Sequence, residues 1–150
     1  MQISDLCGVN KEVTYLARSR DGTEHCAIAI GKISLDGDIN IEILDYCLVE
    51  ELGGAVGKET IVIPKDITLS LLNLCRKSKY IPVIIHTHEY SGGDVSLSIL
   101  DKKYIDSFSR LAFKIGGIPF CLFAVTDSKT IQYCMEDIAK MEHVVWEEIV

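Results

Sequence analysis

The chain has 150 residues, of which 48% are hydrophobic and 25% are charged. This length and composition are typical of one globular domain that spans residues 1–150. The formal net charge is −7 without any block rich in lysine or arginine, so nucleic acid and anionic membranes are disfavoured as partners.

The six cysteines are scattered and form no Cys-x-x-Cys pair, which disfavours a zinc ribbon or a thioredoxin-type site. Most of them lie in apolar runs, so we expect buried, reduced thiols and a cytoplasmic protein. The N-terminal residues have neither a basic flank nor a long apolar core, so we expect no signal peptide. The strongly apolar run at residues 118–125 is too short to cross a bilayer.

The first third of the chain predicts a β-hairpin. Residues 11–19 fit either a short helix or a strand. Residues 24–34 are apolar enough for a strand, and the Asp-Gly pair within residues 35–38 predicts a turn. A returning strand begins at Ile39, and the glycine-rich residues 51–57 predict a flexible loop.

The middle of the chain alternates strands with helices. A short strand at residues 60–63 precedes a helix at residues 66–79, for which Asp66 is a candidate N-cap. Residues 81–88 predict an apolar strand, and residues 99–115 predict a second helix. The predicted apolar side of this second helix comprises Ile99, Tyr104, Ile105, Phe108, Leu111 and Ala112.

Two further strands are predicted at residues 118–125 and 130–135, and the tail from Glu136 is predicted to be helical. Strands interleaved with helices indicate an α/β (α+β) fold class, in which helices pack on one central sheet. The early hairpin makes that sheet mixed rather than purely parallel.

One apolar strand ends on a His-Thr-His sequence. Residues two apart on a strand point to the same side, so His86 and His88 project together. Imidazoles at this spacing can share a metal ion, and a catalytic zinc site adds a third protein ligand and leaves one position for water. The candidates for the third ligand are Glu89, Asp94 and Asp101. A bare His-x-His pair is also compatible with polar residues at the surface end of a strand.

A Ser-x-x-Asp sequence opens the second predicted helix. Taken alone, it is typical of a capping box, with Ser98 as the N-cap and Asp101 three positions later. The cap and a metal site are compatible, because the cap would hold Asp101 rigidly beside the strand end.

Together, these motifs resemble those of the JAB/MPN metalloproteases that carry the JAMM motif. In that family an upstream Glu is followed by His-Ser/Thr-His-Pro and, after a loop, by Ser-x-x-Asp at a helix start. Residues 86–88 and 98–101 occupy those places here, and Glu24 leads into an apolar strand that ends at Gly31. The resemblance covers roughly residues 11–135.

The chain departs from the family pattern in two places. Glu89 stands where the family has Pro, and the gap between His88 and Asp101 is two residues longer than the common spacing. Asp94 is therefore the alternative to Asp101 as third ligand, although no helix start directly follows it.

The resemblance implies a JAB/MPN (cytidine-deaminase-like) architecture and one Zn²⁺ ion held by His86, His88 and Asp101. It implies that the zinc lowers the pKa of its bound water, that Glu24 acts as general base, and that Ser98 donates a hydrogen bond to the developing oxyanion. Without the family pattern, Glu24 is equally compatible with an exposed acid at a strand start.

The resemblance also implies an activity. It is that of a zinc metalloprotease, an isopeptidase or peptidase cleaving after the C-terminal Gly-Gly of ubiquitin or a ubiquitin-like protein. Partners would be that protein or its conjugates and the E1-like or E2-like enzymes of a prokaryotic conjugation pathway. Residues 50–63 lie where the family has an insertion beside the cleft, and they either guide the substrate tail or form a plain surface loop. The alternatives are a JAMM-type hydrolase that trims a sulfur-carrier protein or a small peptide, and a catalytically silent MPN scaffold.

Overall fold

A mixed β-sheet runs through the centre of the fold. The computed structural model describes residues 1–19, 24–35, 37–57, 60–88, 97–126 and 131–137. The strands are β1 (Gln2–Asp5), β2 (Cys26–Ser34), β3 (Asn40–Leu48), β4 (Ala55–Gly57), β5 (Thr60–Val62), β6 (Ile81–Thr87), β7 (Phe120–Thr126) and β8 (Ile131–Asp137). Within the described residues, six strands form one sheet in the order β1-β3-β2-β6-β7-β8, and β4 pairs with β5 apart from it.

Helices cover both faces of this sheet. They are α1 (Val9–Ser19), α2 (Lys65–Ser78) and α3 (Ile99–Gly116), and a short 3-10 helix spans Val49–Leu52. α1 packs on one face, whereas α2 and α3 pack on the other. Within the described residues, every helix is too short or too polar to cross a membrane.

Side chains of the central strands alternate between the two faces of the sheet, which explains why helices pack on both faces. In β6, Val83 and Ile85 contact the core under α1, whereas Ile84 contacts the core under α2 and α3. A strand buried on both faces has a continuous apolar sequence, as β6 does. Because residues two apart share a face, His86 lies on the same side as Ile84, toward α2 and α3.

The order of the strands determines which elements meet at the end of β6. β6 runs antiparallel to β2 and parallel to β7. Parallel neighbours need a crossover connection, and here the crossover passes through α3. It brings the first turn of α3 near the carboxyl end of β6, the kind of edge at which open α/β sheets form their sites.

The mixed sheet with packed helices confirms the predicted α/β (α+β) class. Residues 11–19, for which the sequence allows either a helix or a strand, form part of the helix α1. The strand β1 is additional to the predicted elements. The prediction of a flexible loop at residues 51–57 is wrong, because this segment completes the 3-10 helix and then forms β4, which pairs with β5.

Two predictions about the helices also need correction. Asp66 is not the N-cap of α2, because Pro64 occupies that position and Asp66 lies in the first turn. Its negative charge there interacts favourably with the positive end of the helix dipole. The apolar side predicted for α3 is narrower than expected, since Ile105, Phe108 and Ala112 are buried but other members are exposed. The exposed members are Ile99, Tyr104 and Leu111.

The predictions for the cysteines and for the tail are confirmed only in part. All six cysteines are described and none forms a disulfide; Cys26, Cys75 and Cys121 are buried, whereas Cys47 is exposed. The predicted helix does not begin at Glu136, which lies in β8. The rest of the predicted tail helix lies outside the described residues.

The packing of α2 predicts a contrast between two of its leucines. Leu72 is fully buried beneath the helix, so Leu72→Ala is expected to lower the free energy of unfolding by about 2–5 kcal/mol. Leu74 is 45% exposed, so Leu74→Ala is expected to cost under about 1 kcal/mol. Urea denaturation of both variants measures the difference, and equal losses would contradict the packing described.

Candidate metal centre

The carboxyl end of β6 carries the two candidate histidine ligands. β6 pairs with β2 up to Cys26–His86, and with β7 up to Thr87–Thr126. The His88 N–H then donates to the carbonyl oxygen of Thr126 at 2.8 Å. Ordered hydrogen bonding therefore continues past the last strand residue, so the backbone at both histidines is held in place.

Asp101 is held by the first turn of α3. The Ser98 Oγ accepts a hydrogen bond from the Asp101 N–H at 3.0 Å, and Asp101 Oδ2 accepts one from the Ser98 N–H at 2.8 Å. This reciprocal pair is a capping box. The capping box predicted for residues 98–101 is thus confirmed, and it orients the Asp101 carboxylate.

The three predicted ligands converge from β6 and α3. His86 Nε2 lies 3.1 Å from Asp101 Oδ1, and His88 Nε2 lies 3.1 Å from Asp101 Oδ2. The two Nε2 atoms are 3.0 Å apart. All three side chains are half-buried. His86, His88 and Asp101 together could hold a metal ion.

The chemistry of this donor set favours a cation. If both Nε2 atoms carried protons to donate to Asp101, two N–H groups would face each other across 3.0 Å. If either ring lacks that proton, its lone pair faces the carboxylate or the other ring. A cation among the three donors removes this conflict, because every lone pair then points at positive charge.

The contacts shift the proton equilibria of the centre in opposite directions. The hydrogen bond with Asp101 raises the pKa of His88 above its ordinary value, although burial works against this rise, and the charges of Asp101 and Glu24 add to it. Burial works to raise the pKa of Asp101, but hydrogen bonds from His86 and His88 outweigh it and hold the pKa well below its usual range. Both shifts reflect the attraction between an imidazolium and a carboxylate at this contact.

A cleft of about 470 Å³ opens beside these donors. Glu24, His86 and Asp101 lie in its wall, and most of the remaining wall is apolar. The apolar residues are Ile61, Val62, Ile63, Ile84, Leu100, Ile105 and Phe123. A concave, mostly apolar site with polar groups at one end is typical of ligand-binding sites.

Glu24, the predicted general base, lies in this cleft. It is two residues before Cys26, the first residue of β2, and both residues line the cleft, as alternate residues of an extended segment do. Its negative charge contributes to the raised pKa of His88. The structure thus brings Glu24 into the same cleft as His86 and Asp101.

Cys26 is a cleft residue that the sequence analysis did not single out. Burial, together with the charges of Glu50 and Glu24, raises the pKa of Cys26 to about 12. A thiol with this pKa stays protonated near neutral pH, so Cys26 is neither a nucleophile nor a thiolate ligand. Its position two residues after Glu24 was the signal that could have placed it here.

The rival candidates for the third ligand, Glu89 and Asp94, lie outside the described residues. Among the described residues, Asp101 supplies the carboxylate that contacts both imidazoles. This contact supports Asp101 as the third ligand.

Comparison with known proteins leaves the centre to be interpreted from its own residues. No family model matches the chain, and no curated protein matches it. The chemistry of the centre is therefore inferred from its donors, their distances and the adjoining cleft.

Removal of a ligand is expected to weaken metal binding strongly. His88→Ala and Asp101→Ala should each lower the affinity for a divalent metal at least about a hundredfold, because even the loss of a supporting hydrogen bond costs about 10–100-fold. Competition against a chelator, with Zn²⁺ and with Co²⁺, measures the affinity.

The matched control for Asp101 is Asp106→Ala. Asp106 lies on the same helix but is exposed and bonded to Arg110, so its removal should leave the affinity unchanged. If Asp94→Ala releases the metal while Asp101→Ala does not, the assignment of the third ligand to Asp101 is wrong.

Metal affinity is expected to fall as the pH drops through neutrality. Binding requires the neutral ring of His88, and the contact with Asp101 raises the pKa of His88, so protons compete at a higher pH than for an isolated histidine. From the ordinary histidine pKa of about 6.5, the affinity should fall at least about fourfold between about pH 8 and about pH 6. Chelator competition at both pH values tests this, and equal affinities would contradict it.

Proposed function

We propose that the protein is a zinc-dependent isopeptidase or peptidase that cleaves after the C-terminal Gly-Gly of a ubiquitin-like protein. The observation that carries the proposal is the contact of His86 and His88 with Asp101 at a cleft that Glu24 also lines. Such an arrangement combines a ligand set with a separate carboxylate, as metal-assisted amide hydrolysis requires. The resemblance to the JAMM motif suggests the substrate.

The distances between the donors fit zinc. Zinc–nitrogen bonds of about 2.0–2.1 Å put neighbouring ligands of a tetrahedron about 3.3 Å apart. The two Nε2 atoms are 3.0 Å apart, close to this value, and each lies 3.1 Å from a different oxygen of the Asp101 carboxylate. Two imidazoles and one carboxylate are also the ligand types of catalytic zinc sites, in which a fourth position stays open.

The proposed mechanism assigns the proton transfers to Glu24. Zinc, when bound, supplies Lewis acidity that activates a water molecule and polarises the scissile carbonyl. Glu24 accepts the proton of the attacking water and then delivers it to the leaving amine. Glu24 is not among the three donors, so the proposed mechanism assigns this transfer to a carboxylate that does not bind the metal.

Ser98 has a second role in the proposed mechanism. Its Oγ accepts the Asp101 N–H in the capping box, which uses a lone pair and leaves the hydroxyl proton to donate. We assign this proton to the oxyanion that develops on the scissile carbonyl. Capping and oxyanion stabilisation are therefore compatible in one side chain.

The proposal includes a JAB/MPN architecture. Its support is the combination of a mixed sheet, α1 on one face, α2 and α3 on the other, and ligands from the end of β6 and the start of α3. The order of the motifs along the chain is that of the family. This architecture would place the scissile bond at the carboxyl end of β6.

An extended substrate tail is proposed to bind along the β4–β5 pair. Ile61, Val62 and Ile63, at and just after β5, line the cleft together with Glu24 and His86. A tail that ends in Gly-Gly has no side chains near the scissile bond, so main-chain pairing with a strand edge is an effective way to bind it. The ubiquitin-like protein or its conjugate is the proposed partner, with E1-like and E2-like enzymes of a prokaryotic pathway beside it.

Cleavage assays test the function directly. The protein is incubated with ubiquitin-like proteins extended beyond Gly-Gly by a short peptide, with and without a zinc chelator. Cleavage should stop with the chelator and return when zinc is added. Glu24→Gln should lower kcat at least about a hundredfold, the scale of a lost general base, while zinc stays bound.

The matched control is Glu12→Gln, a carboxylate in the first turn of α1, which should cleave like the wild type. Cleavage that persists with the chelator, or that Glu24→Gln leaves intact, would overturn the mechanism. Binding of the same substrates without cleavage would instead identify a silent scaffold.

A further inference from the structure

An irregular pairing joins the two strands that carry the centre. The last regular pair between β2 and β6 is Cys26–His86. One step further, the Thr87 N–H donates to the carbonyl oxygen of His25 at 2.9 Å. A regular antiparallel pair would return this bond from the His25 N–H to the Thr87 carbonyl. Here the His25 N–H instead donates to the Thr87 hydroxyl, Oγ1, at 2.8 Å.

Thr87 makes this bond from a position that is not a ligand position. It lies between His86 and His88 along the strand, so its side chain points to the opposite face from theirs. It is 1% exposed, and its partner His25 is also buried. The bond is therefore shielded from water, which cannot replace the hydroxyl as acceptor.

The amide that Thr87 binds belongs to the peptide unit of Glu24. A peptide bond is planar, and the plane that contains the His25 N–H also contains the Cα of Glu24. Glu24 precedes the first residue of β2 and the last regular pair of the β2–β6 ladder, Cys26–His86. The Thr87 hydroxyl thus fixes the plane from which the Glu24 side chain extends into the cleft.

A second contact holds the same unit from another direction. His25 Nδ1 lies 3.1 Å from Glu50 Oε1, in the 3-10 helix that precedes β4. The His25 main chain is bound to Thr87 and its side chain to Glu50. Both contacts limit the movement of the residue that directly follows Glu24.

We propose that Thr87 is the positioning residue for Glu24: its hydroxyl accepts the His25 N–H and so sets where the Glu24 carboxylate lies relative to His86, His88 and Asp101. This inference rests on the proposed role of Glu24 as general base. Thr87 acts on catalysis only through Glu24, and it takes no part in binding the metal.

The test compares Thr87→Val, which keeps the shape but removes the hydroxyl, with Thr87→Ser, which keeps the hydroxyl. Thr87→Val should lower kcat by about tenfold to a hundredfold, because small misplacements of a catalytic group have effects of this size. KM should change by less than about threefold, and zinc affinity should be unchanged. Thr87→Ser should restore kcat to near the wild-type value.

A double-mutant cycle separates positioning from general damage. In the Glu24→Gln background, Thr87→Val should cause little further loss, because the carboxylate that it positions is already gone. A full additional loss in that background would overturn the inference, as would a loss of zinc in Thr87→Val or a Thr87→Ser variant no better than Thr87→Val. If Thr87→Val does not fold, Thr87→Ala removes the hydroxyl without adding volume and takes its place.

Amide hydrogen exchange distinguishes failure of this inference from failure of the proposed function. The His25 N–H should be protected in the wild type and in Thr87→Ser, and should exchange at least about tenfold faster in Thr87→Val. A wild type that cleaves none of the substrates would overturn the peptidase proposal and the catalytic role of Thr87, and the exchange rates would still decide whether Thr87 holds this segment. An unprotected His25 N–H in an active wild type would overturn the inference alone.

Discussion

The carboxylate of Asp101 joins the start of α3 to the end of β6, and the candidate metal centre depends on it. Oδ2 accepts the Ser98 N–H of the helix cap and lies 3.1 Å from His88, while Oδ1 lies 3.1 Å from His86. Because the cap and the ligand set use the same carboxylate, the ligands can assemble only where α3 begins. A hydrogen bond to a ligating carboxylate orients it, so the cap also supports the metal site.

The burial of β6 on both faces determines where its histidines lie relative to the cleft. Ile84 is packed under α2 and α3, and His86 follows it on the same face. His86 therefore projects at the boundary where the apolar core opens into the cleft. The hydrogen bond with Asp101 raises the pKa of His88, and the hydrogen bonds from His86 and His88 lower that of Asp101, although burial works against both shifts. The same burial keeps the Cys26 thiol protonated and chemically quiet.

Short-range sequence patterns predict a strand that is buried on both faces and a helix that begins with its own capping residues. β6 is continuously apolar and α3 opens with Ser-x-x-Asp, so both were identified with nearly their observed bounds. The sequence of residues 11–19 does not decide between helix and strand, because the cap of α1 comes from a residue before the helix. The Asp5 carboxylate accepts hydrogen bonds from the N–H groups of Val9 and Asn10. The sequence predicts a loop where β4 lies, since a glycine-rich segment forms a strand only when a partner, here β5, supplies the hydrogen bonds.

The sequence by itself determined the alternation that turns His86 and His88 to one side, the helix cap at Ser98 and the candidate ligands, because these follow from short-range geometry along the chain. Only the tertiary structure decided that Asp101 reaches both imidazoles, that Glu24 and Cys26 line the same cleft, and that Thr87 binds the amide after Glu24. Those contacts join residues far apart along the chain. They depend on the register between β2 and β6 and on the crossover through α3, which arise when the whole sheet is packed.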